Sequence, residues 1–165
     1  MAYGISDPRA GTQAISGTDT VQNHPLGTIV RANDPTYGDG EFIYLLGVAS
    51  TTVGSVVTYD ASTYQTVLCA VGGNIPRAIA VAMSANLGTY YGWYQISGQA
   101  VVAKTATVSL AAGAAVGVLT TGLIAGTGTG KEIQGAVVAA VASNIAGRVT
   151  VKVMIARPTK QGRVT

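Results

Sequence analysis

Between Arg77 and Lys131 the chain carries one charged residue, Lys104, in 53 positions. The stretch is written in short phrases of Ala, Val, Gly, Thr and Tyr, such as Thr89-Tyr-Tyr-Gly-Trp-Tyr-Gln-Ile-Ser97 and Ile133-Gln-Gly-Ala-Val-Val-Ala139. Polar and Gly positions interrupt it every few residues, whereas a membrane helix needs about 20 predominantly apolar ones. With 22 Gly in 165 residues, long helices are disfavoured and short strands with tight turns are favoured. The expectation is an all-β fold.

Charge is the second constraint. Charged residues are 10% of the chain, against roughly 25% in an ordinary soluble domain. A lone domain stays dispersed through its charge, so the deficit points to a subunit whose neutral surface is covered by partners. The net +3 is also uneven: the last 18 residues hold Arg148, Lys152, Arg157, Lys160 and Arg163 with no acid. That is +5, which leaves −2 for the rest. Two readings stand: solubilising charge on a strand face and tail, or a basic end that docks on an acidic protein surface. Nucleic acid is disfavoured as a partner, because such sites join basic residues to stacking aromatics and no aromatic follows Tyr94.

Cys69 is the only cysteine and lies in the apolar run Thr66–Val71, which reads as a small buried hydrophobe. The N-terminus shows no basic n-region followed by an apolar h-region, so no signal peptide is expected. The expectation is synthesis and assembly in cytosol, with no membrane partner.

Residues 1–40 read as an extended N-terminal arm and junction, with isolated apolar anchors Tyr3, Ile5, Ile15, Val21 and Leu26. No period runs through the first 25 positions, the pattern of a segment that orders only against something else. A short strand is expected over 27–31, and Asn33–Gly40 reads as a turn-rich junction. From Glu41 strand signals recur about every ten residues: near 41–49, 53–59, 65–71, 77–84, 89–97, 99–105, 114–119, 132–141 and 147–156. A helix over 133–143 is the rival in the Ala-rich text, with Gly135 and four Val/Ile residues favouring strand. In the last segment Val149, Val151, Val153 and Ile155 share one face.

The two halves resemble each other. Gly54-Ser-Val-Val matches Gly113-Ala-Ala-Val, and Asn86 matches Asn144, 58 positions on. A duplication over about 42–98 and 99–157 would make each half a β-meander. The pair would close into a compact β-barrel or β-sandwich with fewer open edges. The expected organisation is therefore arm and junction 1–40, β-domain 41–157 and basic C-terminal tail 158–165.

Catalytic constellations are nearly lacking. The one histidine, His24, reads as a solvated loop residue, and one His with one Cys cannot make an ordinary protein-only zinc site. No Gly-x-Ser-x-Gly elbow occurs. Asp60 and Glu132 could pair only as an improbable glycosidase couple. Gly126-Thr-Gly-Thr-Gly-Lys-Glu132 fails as a phosphate loop, with Ala125 in the first Gly position and Glu132 where Ser or Thr should hold magnesium. It reads as a hairpin loop. No enzyme, metal, cofactor or small-molecule substrate is expected. The cluster Tyr90, Tyr91, Trp93 and Tyr94 is the richest aromatic text. Tyr91 and Trp93 would share one strand face with Gln95, Tyr90 and Tyr94 the other with Ile96, as core or as subunit interface.

The succession Arg77-Ala-Ile-Ala-Val-Ala-Met-Ser-Ala, Gly88-Thr-Tyr-Tyr-Gly-Trp-Tyr-Gln-Ile-Ser-Gly98, Gln99-Ala-Val-Val-Ala, Ala111-Ala-Gly-Ala-Ala-Val-Gly-Val and a close in Ala156-Arg-Pro resembles the capsid decoration, or cement, proteins of tailed bacteriophages. It spans about 42–158. The resemblance implies a homotrimer on the capsid exterior of a virion that bridges neighbouring major capsid protein subunits, and it brings no diagnostic binding residues. A head-fibre base or tail component, and a carbohydrate-binding or adhesion module, are the alternatives. Arg157, Lys160 and Arg163 are the candidate basic contacts, and the arm anchors the candidate apolar ones.

Overall fold

A computed structural model describes residues 3–5, 13–71, 75–145 and 148–162, with the side chains of Ile5, 141–145 and Arg148 outside the description. It is all-β, with no helix among the described residues. The strands are β1 (Gly4–Ile5), β2 (Thr18–Asp19), β3 (Ile29–Asp34), β4 (Gly38–Leu46), β5 (Val56–Tyr59), β6 (Thr66–Leu68), β7 (Ala78–Ala82), β8 (Tyr91–Ala103), β9 (Ala115–Thr120), β10 (Leu123–Gly126), β11 (Glu132–Ile145) and β12 (Arg148–Lys160).

All named strands pair antiparallel in one sheet, whose main path is β1-β3-β4-β8-β7-β12-β11-β9-β10. That path does not close on itself. Single main-chain bonds tie the β9–β10 turn to the β5–β6 pair, which branches from β7: Val56 N–H donates to the Gly122 carbonyl, and Gly122 N–H to the Cys69 carbonyl, both at 2.9 Å.

Two four-strand groups share one pairing scheme. In the first, β6 pairs β5, β5 pairs β7 and β7 pairs β8. In the second, β10 pairs β9, β9 pairs β11 and β11 pairs β12. The long strands β8 and β12 then join the groups, from Ser97–Ala156 to Ala103–Thr150. The glycine before each group's leading strand has the same left-handed backbone, φ 83° at Gly54 and 81° at Gly113, a conformation that costs other residues energy. Gly54 N–H donates to the Ala82 carbonyl and Gly113 N–H to the Val138 carbonyl, both at 2.8 Å.

The apolar residues bury in three clusters. The largest is aliphatic, drawing Val56, Ile79, Val102, Val116, Ile124 and Val153 from both groups, together with Cys69. A second gathers Ile43, Leu45, Val57, Ala80, Tyr94 and Ile96. The third holds Phe42, Tyr44 and Trp93 with Ile15, Val30, Ala32 and Met83. β7 separates two of them: Ile79 and Val81 serve the first, Ala80 and Ala82 the second. This is why Ala78–Met83 is apolar on both faces.

Several expectations change. The strands expected over 89–97 and 99–105 are one 13-residue strand, β8. Gly98 lies inside it with φ 98°, and a Cβ there would meet the Asp39 carbonyl oxygen at 2.3 Å, so the glycine admits a close crossing rather than ending the strand. The junction 33–40 is mostly strand, because β3 and β4 run into a tight hairpin. Its turn is set by the buried Asp34 carboxylate, which accepts the N–H groups of Thr36 (2.7 Å) and Tyr37 (3.0 Å). β10 is a strand at a place where none is expected, while the segment 133–143 is strand within β11, as favoured over the rival helix. β12 extends through Lys160, so a tail beginning at 158 starts too early.

Candidate interaction site

The N-terminal segment is laid across the aromatic cluster of its own sheet. β1 pairs β3 through Gly4–Asn33 and Ile5–Ala32, and β2 pairs β8 through Thr18–Gly92 and Asp19–Tyr91. Ile15 enters the cluster and is buried there, while Tyr3 and Leu26 pack at its margin half-buried. The Tyr3 ring meets Phe42 edge-on at 4.8 Å, and its hydroxyl donates to the Gln99 carbonyl at 3.2 Å. Burial raises the Tyr3 phenol to about 12. Ile15 is thus a core residue of the folded unit and not a free surface anchor. Val21 is 70% exposed. Ile5 lies in β1, with its side chain outside the description.

A chain of polar contacts fastens this segment. The Tyr44 hydroxyl donates to Asp19 Oδ2 at 2.6 Å, and Gln13 Nε2 donates to the same oxygen. Gln13 Oε1 lies 2.6 Å from His24 Nε2. The His24 ring stands edge-on to Tyr44 at 5.2 Å and 5.5 Å from Trp93. His24 is therefore not a solvated loop residue: it is tied to Gln13, 11 positions back, and no local pattern shows that convergence. Burial and the bond to Asp19 raise the Tyr44 phenol far above its ordinary range. Beneath the cover, Trp93 Nε1 and Gln95 Oε1 have no hydrogen-bond partner among the described residues, a cost the apolar packing must exceed.

The aromatic cluster divides between faces. Trp93 and Tyr91 meet the arm-covered cluster, with Trp93 fully buried and Tyr91 half-buried. Tyr94 faces the opposite cluster, fully buried, and its hydroxyl accepts from Asn86 Nδ2 at 2.7 Å. Tyr90 is half-buried and offers its carbonyl to Gly47 N–H at 2.7 Å. Trp93 and Tyr94 are core within this chain.

The basic end is used internally. Arg157, with φ 45°, donates through Nη2 to Glu41 Oε2 at 3.1 Å, and Arg31 reaches the other oxygen at 3.4 Å. Lys160 is buried, its ammonium donating to the Ala70 carbonyl at 2.8 Å. Lys152 sits 5.1 Å over the Tyr37 ring. Arg163 lies outside the described residues. The electrostatic end read from sequence is, at Arg157 and Lys160, a set of ties between β12 and the first half.

Another surface carries no such ties. Ala115, Val137, Met154 and Gln99 are successive register partners across β9, β11, β12 and β8, so their side chains form one uncharged row. Val137 is 46% and Met154 50% exposed, and Leu119, two residues beyond Gly117 on β9, is 45% exposed. The alternation of β12 foretold this, since Val151, Val153 and Ile155 face inward and leave Met154 outside.

Among the described residues the acids do not assemble into a site. The Asp60 carboxyl is held well below the usual range by the Ser62 hydroxyl and the N–H groups of Ser62 and Thr63, an Asx turn. No group of three potential metal ligands occurs among the described residues. Gly126–Glu132 links β10 to β11, with Lys131 N–H on the Gly128 carbonyl at 2.9 Å. Likewise, no described helix is long and apolar enough to cross a membrane. In comparisons with known proteins, no family model and no curated sequence matches this chain.

Proposed function

We propose that this chain is a non-enzymatic structural subunit of a virion. In this reading it decorates a tailed-phage head, assembling as a homotrimer on the capsid exterior and bridging neighbouring major capsid protein subunits. The observation that carries the reading is the uncharged row of Ala115, Val137 and Met154, extended by Leu119. In a chain with only 10% charged residues, Val137, Met154 and Leu119 stand exposed together on one face of the sheet, an apolar surface suited to cover by another protein. Three weak sites on one trimer act together, and avidity exceeds single-site affinity by about 10²–10⁴.

The reading includes an internal duplication that curls into a barrel-like domain, and an N-terminal arm. The shared pairing scheme and the matched Gly54 and Gly113 support the first. The two two-residue strands by which the arm docks support the second.

The test is velocity sedimentation of the purified chain, followed by its addition to expanded, undecorated phage heads. A trimer that saturates the heads is expected, with binding lost in Val137→Asp/Met154→Asp at unchanged thermal stability. A folded monomer that ignores heads but binds a glycan array would replace this reading with an adhesion module.

A further inference from the structure

We propose that the aromatic seat beneath the N-terminal segment is an exchange site, filled in the assembled protein by the segment of a second copy. The inference concerns how copies join and stands apart from the capsid reading, needing only that the chain associates. Phe42, Tyr44 and Trp93 are fully buried, and their cluster includes Ile15 with Tyr3 at its edge. A bare seat would present large aromatic surfaces to water, so every copy requires a segment in place. Nothing in the seat distinguishes its own segment from an identical one.

The attachment is built for transfer. Among the described residues, only four strand positions, Gly4–Ile5 and Thr18–Asp19, tie the segment to the sheet. The polar latch joins Gln13 and Asp19 on the segment to His24 and Tyr44 on the seat. Between the two sides lie Thr20, Val21, Gln22 and Asn23, all exposed. Immediately after them the chain is anchored again, with Gly27 N–H on the Tyr44 carbonyl at 2.9 Å. Asn23 N–H already donates to the Tyr44 hydroxyl at 3.4 Å, so Thr20, Val21 and Gln22 form a three-residue hinge between two fixed points. Redirecting it keeps every segment–seat contact and changes only which copy supplies the segment, the low-cost route of element exchange.

Gly4 and Asn33 are antiparallel partners, at a separation that suits a disulfide. A Cβ on Gly4 finds its nearest neighbour at 3.8 Å, and the native Cys69 is buried. The Gly4→Cys/Asn33→Cys protein is oxidised without capsids and run on denaturing gels. Covalent multimers are expected as the main product. Mixing and co-refolding the Gly4→Cys and Asn33→Cys single variants should give disulfide-linked heterodimers, one copy of each. Inserting three glycines between Val21 and Gln22 should shift the double variant toward an internally linked monomer, because a longer hinge lets the segment return to its own seat. Internal links alone at every concentration, or thiols free at both positions, overturn the proposal. Neither result depends on whether heads bind.

Discussion

The seat around Trp93 and the row through Val137 are both apolar surfaces of one sheet, yet only the first is covered by the chain itself. The seat holds Phe42, Tyr44 and Trp93, and burying an aromatic of this size removes about 150–250 Å² from water. The row offers Ala115, Val137 and Met154, much less area per position. The chain has placed its own N-terminal segment where exposure would cost most and left the milder surface bare. The contrast separates stability from association: seat variants should unfold the protein, whereas row variants should leave it folded and alone.

The sharpest way to break that contrast is Trp93→Ala. It should cost about 3–5 kcal/mol, read by denaturant unfolding, and a loss under about 1 kcal/mol would mean the seat is not part of the core. Next is Ile15→Ala, expected to cost about 2–3 kcal/mol, because the residue is 2% exposed beneath the segment. Little change there would show that the segment merely rests on the sheet.

Alkaline titration compares the seat with the aliphatic core. Burial raises the Cys69 thiol from 9.0 to about 11 and the Tyr3 phenol from 10.0 to about 12. Both groups are neutral when protonated, and the folded state holds the proton more tightly. Their stabilising contribution is therefore complete below pH 9 and is lost as pH rises through 9–12. Unfolding midpoints should fall across that window, and Cys69→Ala should remove the part between about 9 and 11. A flat profile would contradict the burial of both groups.

The smallest effect is expected at Arg157→Ala. The pair with Glu41 is largely exposed on the arginine side, at 66%, so the loss should stay within about 1 kcal/mol and shrink in salt. Alanine keeps the strain of φ 45° at this position, whereas Arg157→Gly relieves it and should recover part of the loss.

Much of the fold was legible in sequence because strand text declares itself locally. The alternation of Val151, Val153 and Ile155, and the two-sided apolar run at Ala78–Met83, identified buried faces without tertiary knowledge. The split of Trp93 from Tyr94 also followed from period two alone. What escaped was set by distant partners. The latch of Gln13, Asp19, His24 and Tyr44 joins positions up to 31 apart, from 13 to 44, with no shared motif. Lys160 read as tail because its carbonyl partner, Ala70, lies 90 residues away. Gly98 read as a strand break because glycine marks both a turn and a close backbone crossing. Only the Asp39 carbonyl beside it separates the two.

β8 has a consequence for how the molecule opens. Its first half pairs with β4, β7 and β2, and its second half with β12. The two four-strand groups can separate only by stripping β12 from the second half of β8, along the whole ladder from Ser97–Ala156 to Ala103–Thr150. The amides of β8 should therefore exchange with solvent deuterium only through whole-molecule unfolding, while those of β6 and β10, at the margins, exchange by local fraying. Despite its two similar halves, the protein should melt as one cooperative unit.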